Sequence, residues 1–105
     1  MTDMEFKAAG NKHLAAKEYA DAIDNYNEGI ELNDKDHTYF STRSMAHLYN
    51  NSPDLAVADA DKCIALKGDW PKGYLRKGQA LTKARQFDEA REALEAGLKV
   101  DSNDK

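Results

Sequence analysis

Aligned with itself at an offset of 34 residues, the chain falls into three segments, 3–36, 37–70 and 71–104, and the coincidences land on small and aliphatic residues. Gly10, Ser44 and Gly78 coincide, as do Ala22, Ala56 and Ala90, and Gly29, Cys63 and Gly97. Ile30, Ile64 and Leu98 line up beside them, and so do Leu32, Leu66 and Val100. A small residue lets the backbone of a neighbouring helix approach, and the aliphatics fill the space beside it. The pattern therefore describes an antiparallel helix pair, repeated three times and stacked so that each pair buries its neighbour's apolar face.

Six Gly and two Pro in 105 residues leave the chain free to form helices, and the whole is sized for one small domain. Apolar residues recur at helical spacing, as in Phe6, Ala9 and His13-Leu14, then Tyr19, Ile23, Tyr26 and Ile30. No segment alternates as a strand would, so the fold class is all-α. Helices are predicted over 3–16, 19–32, 37–50, 53–66, 71–84 and 87–100, with breaks at Lys17-Glu18, Asn51-Ser52 and Arg85-Gln86. Ser52-Pro53-Asp54 offers an N-cap hydroxyl followed by proline at the first helical position, and Asp69-Trp70-Pro71 is similar. Gly68 and Asn33 are predicted to be the left-handed residues that end helices.

The same residues exclude several classes of function. No run approaches the roughly 18 apolar residues of a membrane span, and the acidic start Met1-Thr2-Asp3-Met4-Glu5 lacks the positive flank of a secretory signal. An intracellular, cytoplasmic location is expected. A net charge of -4 argues against nucleic acid as a partner. Cys63 has no disulfide partner, three histidines without cysteines make a poor zinc set, and no cofactor or metal is expected. Nucleophile-elbow, phosphate-loop and metalloprotease motifs are absent, so no enzyme is expected. His13 and His47 occupy equivalent repeat positions where packing explains them better than ligation, and His37 lies at a repeat junction. Cys63, at a small-residue position, reads as a buried, unreactive thiol.

A 34-residue, two-helix repeat with small residues at these positions resembles the tetratricopeptide repeat across almost the whole chain. The resemblance implies a right-handed superhelix whose first helices line a concave groove. Two departures occur: Asp34, Gly68 and Ser102 stand where a proline is common, and Pro53 replaces the aromatic found at Tyr19 and Phe87. Neither threatens the fold. The last helix carries Ala90, Ala93, Leu94, Ala96 and Leu98 and is followed only by Asp101-Ser102-Asn103-Asp104-Lys105. Its apolar stripe is expected to be exposed, the chain to be the N-terminal part of a longer protein, and the stripe to be capped in that parent or by self-association.

On the groove helices, Lys7 and Asn11 share one face, and Lys72 and Arg76 share another two repeats later. Like charges at that spacing cost a helix about 0.2–0.5 kcal/mol, so Lys72 and Arg76 are not a choice for helix stability. They suit an anion, with ordinary solvated charge as the other reading that spacing leaves open.

Lys7 with Gly10-Asn11-Lys12, Phe40-Ser41-Thr42-Arg43-Ser44, Asp59-Ala60-Asp61-Lys62-Cys63-Ile64 and Asp69-Trp70-Pro71-Lys72-Gly73-Tyr74-Leu75-Arg76-Lys77-Gly78 resemble the carboxylate-clamp tetratricopeptide domains of chaperone adaptors. They are most like the first such domain of the stress-inducible Hsp-organising family. The resemblance implies binding of the C-terminal Glu-Glu-Val-Asp tail of the seventy- and ninety-kilodalton heat-shock chaperones, the seventy-kilodalton one preferred. It carries four clamp roles onto Lys7, Asn11, Lys72 and Arg76, while the fifth position, usually Asn, is Thr42. Met45, Leu48 and Tyr49 are the apolar neighbours expected to contact the tail upstream, with core packing as their other reading. Two carboxylates gripped by charge-assisted bonds of about 1.5–3 kcal/mol each imply roughly micromolar, salt-sensitive binding.

Overall fold

The structure, a computed structural model describing residues 1–103, consists of six helices. They are α1 (Asp3–Ala15), α2 (Tyr19–Leu32), α3 (His37–Tyr49), α4 (Pro53–Leu66), α5 (Pro71–Lys83) and α6 (Phe87–Asn103). Each expected helix is present within a residue of its predicted bounds, except that α6 runs on to Asn103. Asp104 and Lys105, at the end of the third repeat, lie outside the described residues.

Local chemistry starts the helices in two ways. Thr2 and Glu5 cap α1 reciprocally, and Asp36 caps α3 by accepting from the Thr38 amide at 3.0 Å. Helices α4 and α5 begin with Pro53 and Pro71, but Ser52 and Trp70 before them make no side-chain cap bond, contrary to the cap expected at Ser52. The turns inside the repeats are all alike. Lys17, Asn51 and Arg85, spaced 34 apart, adopt left-handed backbone with φ of 64°, 65° and 64°. The following amides of Glu18, Ser52 and Gln86 reach back to the carbonyls of His13, His47 and Leu81, at 2.8 Å in each case. That is a Schellman closure. The left-handed residues are therefore not Asn33, which is extended at φ -152°, nor Gly68, since no glycine has positive φ.

Each helix packs on its successor, so the three pairs stack in order. In addition, α1 touches α3 and α3 touches α5, while no contact joins α2 to α4 or α4 to α6 among the described residues. The first helices thus lie close together on one side and the second helices splay on the other. This geometry makes the α1, α3, α5 side the concave one.

The core is built from small residues and two tyrosines. Tyr26 and Tyr39 are fully buried and meet edge to face at 6.5 Å, among Ala22 and Ala46, with Leu14, Ile23 and Ile30 around them. The repeat-matched glycines make room for them: a Cβ at Gly10 would lie 2.5 Å from Tyr26 Cε1, and one at Gly29 would lie 2.6 Å from Tyr39 Cε1. At the equivalent of Gly10 in the second repeat, Ser44 Oγ donates to the Ala56 carbonyl at 2.7 Å and ties α3 to α4. Arg43 grips the buried Asp59 carboxylate through Nε and Nη2 at 2.8 and 2.7 Å and donates to Asn27 Oδ1 at 2.8 Å, pinning α2, α3 and α4. The stripe expected to be exposed on α6 is open only in part: Leu94 and Leu98 are 39% and 66% exposed, whereas Ala90 and Ala93 turn inward and are buried in a cluster with Leu81. With Pro71 and Leu75, Leu94 and Leu98 line a cleft of about 350 Å³.

Candidate functional site: an inner groove between the first helices

Lys7 projects from the middle of α1 toward the start of α3. Its Nζ lies 2.8 Å from Asp36 Oδ2 and 5.2 Å from the centre of the Tyr39 ring. Asp36 is held from both sides, because its other oxygen accepts from the amide and hydroxyl of Thr38 at 3.0 and 2.6 Å. Burial pushes the Asp36 carboxyl up, but the Lys7 and Thr38 bonds outweigh it and hold the group below the ordinary aspartate range.

Asn11, one turn further along α1, is oriented by the core. The Tyr26 phenol donates to Asn11 Oδ1 at 2.6 Å, which leaves the Nδ2 hydrogens without an acceptor among the described residues. Thr42 stands beside the same phenol: burial raises the Tyr26 pKa and the Thr42 hydroxyl lowers it in part. The Thr42 proton itself is directed to the Thr38 carbonyl at 2.9 Å, so in the free domain this hydroxyl donates to its own helix and not into the groove.

On α5 the two cations are differently placed. Lys72 is exposed, with its ammonium 5.8 Å from the Trp70 ring, and Trp70 meets His37 edge to face at 4.6 Å. These aromatic contacts join the start of α5 to the start of α3. Arg76 is half-buried beside Tyr49 and Cys63, and burial pulls its pKa down. Its Nη1 donates to Gln79 Oε1 at 3.1 Å, while its Nε is buried with no partner among the described residues. Neither Lys72 nor Arg76 has a carboxylate partner there. That separates them from Lys7 and Lys77, which are bonded to Asp36 and Asp61, both at 2.8 Å.

Further along the groove, Leu48 and Tyr49 line a surface cleft of about 430 Å³ with Asn51, Gln79, Thr82 and Lys83. Tyr49 is half exposed and leans on Tyr19, with ring centres 5.5 Å apart. Met45 and Leu48 are partly buried, so none of the three apolar candidates sits in the closed core. The two halves of the candidate clamp make no direct bond to each other. Asp36, which ends the first repeat, and Tyr39 of the second hold the Lys7 side, and the His37–Trp70 contact joins the start of α3 to the start of α5.

A tetratricopeptide repeat profile matches residues 71–104. The first tetratricopeptide domain of Spaghetti (RPAP3), solved bound to the HSP90 peptide SRMEEVD, superposes with a TM-score of 0.91 at 25% identity, over 98% of this chain and 82% of that one. This chain is a tetratricopeptide repeat domain. The second such domain of human RPAP3, solved in complex with the HSP70 peptide SGPTIEEVD, gives a TM-score of 0.86 at 25% identity over 98% and 89% of the two chains. Among curated proteins, the domain is 43% identical over 97 residues to the STIP1 homolog of Dictyostelium discoideum, and 42% identical over 99 residues to the heat shock protein sti1 homolog of Schizosaccharomyces pombe. The matches cover 92% and 94% of this chain but 17% of each relative, so the domain spans about a sixth of their length.

Reading by repeat missed Asp36 and Tyr26 as groove residues. Asp36 was legible only as the residue before a helix, and Tyr26 only as one member of an apolar stripe. No local signal couples either one to Lys7 or Asn11. Cys63 and His47 follow the register, but His13, expected to pack like His47, lies instead at the surface. Cys63 is buried, with its thiol pushed up to about 11, mainly by burial, which disfavours the nucleophilic thiolate. His47 is largely buried, 3.6 Å from Asp59, while the half-exposed His13 pairs with Glu18 at 2.9 Å. Ligand atoms of His13, Glu18 and Asp21 lie within 4.8 Å of one another on the surface. Among the described residues, no helix is long and apolar enough to cross a membrane.

Proposed function

We propose that this domain is a co-chaperone adaptor module. It binds the extreme C-terminal Glu-Glu-Val-Asp tail of heat-shock chaperones, the seventy-kilodalton chaperone in preference to the ninety-kilodalton one, in the cytoplasm and without catalytic chemistry. The observation that carries the reading is the pair Lys72 and Arg76, two cations one turn apart on the inner helix α5 with no carboxylate partner among the described residues. A point charge and a planar fork left unneutralised across α3 from Lys7 and Asn11 offer an anion two separate anchors. The tail presents two carboxylates, its terminal group and the Asp side chain. Lys7, Asn11, Thr42, Lys72 and Arg76 form the clamp, and Met45, Leu48 and Tyr49 receive the residues upstream. The two solved tetratricopeptide domains above carry peptides ending in this sequence. The preference for the seventy-kilodalton tail rests on the likeness to the first domain of the Hsp-organising family.

Calorimetric titration with a seven-residue tail, as the free acid and as the C-terminal amide, tests the reading. The free acid is expected to bind at roughly micromolar strength and the amide far more weakly. Equal binding of the two forms would show that the groove does not read a terminal carboxylate. A second reading, self-association or a scaffold for another peptide, is favoured by the open Leu75, Leu94 and Leu98 face. Sedimentation over a range of concentrations decides it, and a strictly monomeric species would remove self-association. In either reading, residues 1–105 act as a single domain of a longer protein.

A further inference from the structure

Of the four cationic or amide groups matched to the clamp, only Lys7 has a carboxylate partner among the described residues, and that carboxylate is itself held in place. Asp36 Oδ1 is held by the Thr38 amide and hydroxyl at 3.0 and 2.6 Å, and Oδ2 meets Lys7 Nζ at 2.8 Å. The two side chains are 19% and 21% exposed, so solvent screens the pair only in part. We propose that Asp36 is a built-in competitor for Lys7, an internal stand-in for the ligand's carboxylate that sets the groove's affinity for acidic chain ends below what its cations alone would give.

The inference rests on the tail-binding reading. An ammonium has three donors, so Lys7 can meet a ligand carboxylate without leaving Asp36. The two carboxylates then lie roughly 5 Å apart on one cation, and their repulsion offsets much of what Lys7 contributes. The opposite effect, Asp36 helping by aiming Lys7, is the weaker one. The Tyr39 ring supports the ammonium independently, 5.2 Å away, so Lys7 does not depend on Asp36 alone for its position. Asn also caps a helix as well as Asp does, so Asp36→Asn removes the charge and keeps the cap on its one oxygen, while its NH2 group, a donor, takes the place of the oxygen that Lys7 bonds and leaves the ammonium free.

The experiment is calorimetric titration of a free-acid Glu-Glu-Val-Asp heptapeptide into the wild-type domain, Asp36→Asn, and Asp34→Asn as a charge control. Asp34 is exposed and two residues away, and it makes no bond to Lys7. Asp36→Asn is expected to tighten binding about tenfold and Asp34→Asn by less than about twofold. The ¹⁵Nζ resonance of Lys7 is expected to shift in Asp36→Asn without peptide. Asp36→Ser, another uncharged cap, repeats the test if the asparagine variant melts early. Unchanged or weaker binding in a folded Asp36 variant, or an equal gain from Asp34→Asn, overturns the inference while leaving tail binding intact. No binding by the wild type or by any variant overturns the tail reading and this inference together.

Discussion

The Tyr26 phenol donates to Asn11 Oδ1 at 2.6 Å, so a residue fully buried in the core of the first repeat fixes the orientation of an exposed amide on the groove wall. The core and the groove are therefore joined by one hydrogen bond. Tyr26→Phe removes that donor with little change in volume. It is expected to cost about 1 kcal/mol of stability in thermal unfolding, and to weaken free-acid tail binding about threefold because Asn11 is then free to turn. A variant with the stability loss and unaltered affinity would detach Asn11 from the binding site.

Thr42 directs its proton to the Thr38 carbonyl at 2.9 Å. An asparagine there has two amide hydrogens that no helix carbonyl of its own backbone claims as readily. Thr42→Asn is expected to tighten tail binding several-fold, roughly 1 kcal/mol, in the same titration. Weaker binding would mean that the groove is built around the hydroxyl.

The close approach at Gly10 bears on stability alone. A methyl group there would meet Tyr26 Cε1 at 2.5 Å, and the buried ring has no room to retreat. Gly10→Ala is expected to destabilise the domain by about 1–3 kcal/mol despite its better helix propensity, as read from a urea midpoint.

Arg85 is left-handed at φ 64° and exposed. Glycine adopts that backbone without a Cβ clash, so Arg85→Gly is expected to raise stability by about 0.5–1 kcal/mol. A lower urea midpoint would show that the Arg85 side chain, stacked 5.8 Å from the Phe87 ring, matters more than its backbone.

His47 gives the pH dependence. Burial lowers its pKa below 6.5 and the neighbouring Arg43 charge adds to this, while Asp59 opposes both. The unfolded chain then holds the proton more tightly than the folded one, so stability is full above pH 6.5 and declines as pH falls from there toward the folded pKa. Urea midpoints measured between pH 7.5 and 5 by about half-unit steps are expected to fall with acidity, and to fall less in His47→Gln. An equal decline in both proteins would assign the effect to other groups.

Much of this architecture was legible in the sequence because it is periodic. The 34-residue register placed six helices and marked Lys17, Asn51 and Arg85 as breaks, since small and aliphatic residues report helix faces locally. Residue type misled where geometry decides. Asn33 and Gly68 have the composition of left-handed caps, yet the tight turn within each repeat places that conformation on Lys17, Asn51 and Arg85. The hydroxyl expected of Ser52 as a cap is not used: its backbone, at φ -123° and ψ 69°, makes no side-chain bond to the first turn, and Pro53 removes only the first of the amides there.

By itself, the sequence determined three stacked helix pairs and two charged or polar pairs, Lys7 with Asn11 and Lys72 with Arg76, each on one helix face. Only the tertiary structure decided which of those groups remain free. Asp36 is 29 residues from Lys7 and Tyr26 is 15 from Asn11, and each meets its partner only because the small residues let the helices close to contact distance. Spacing along a helix follows from backbone geometry. Whether a cation finds an internal carboxylate depends on the distance between helices, which packing sets.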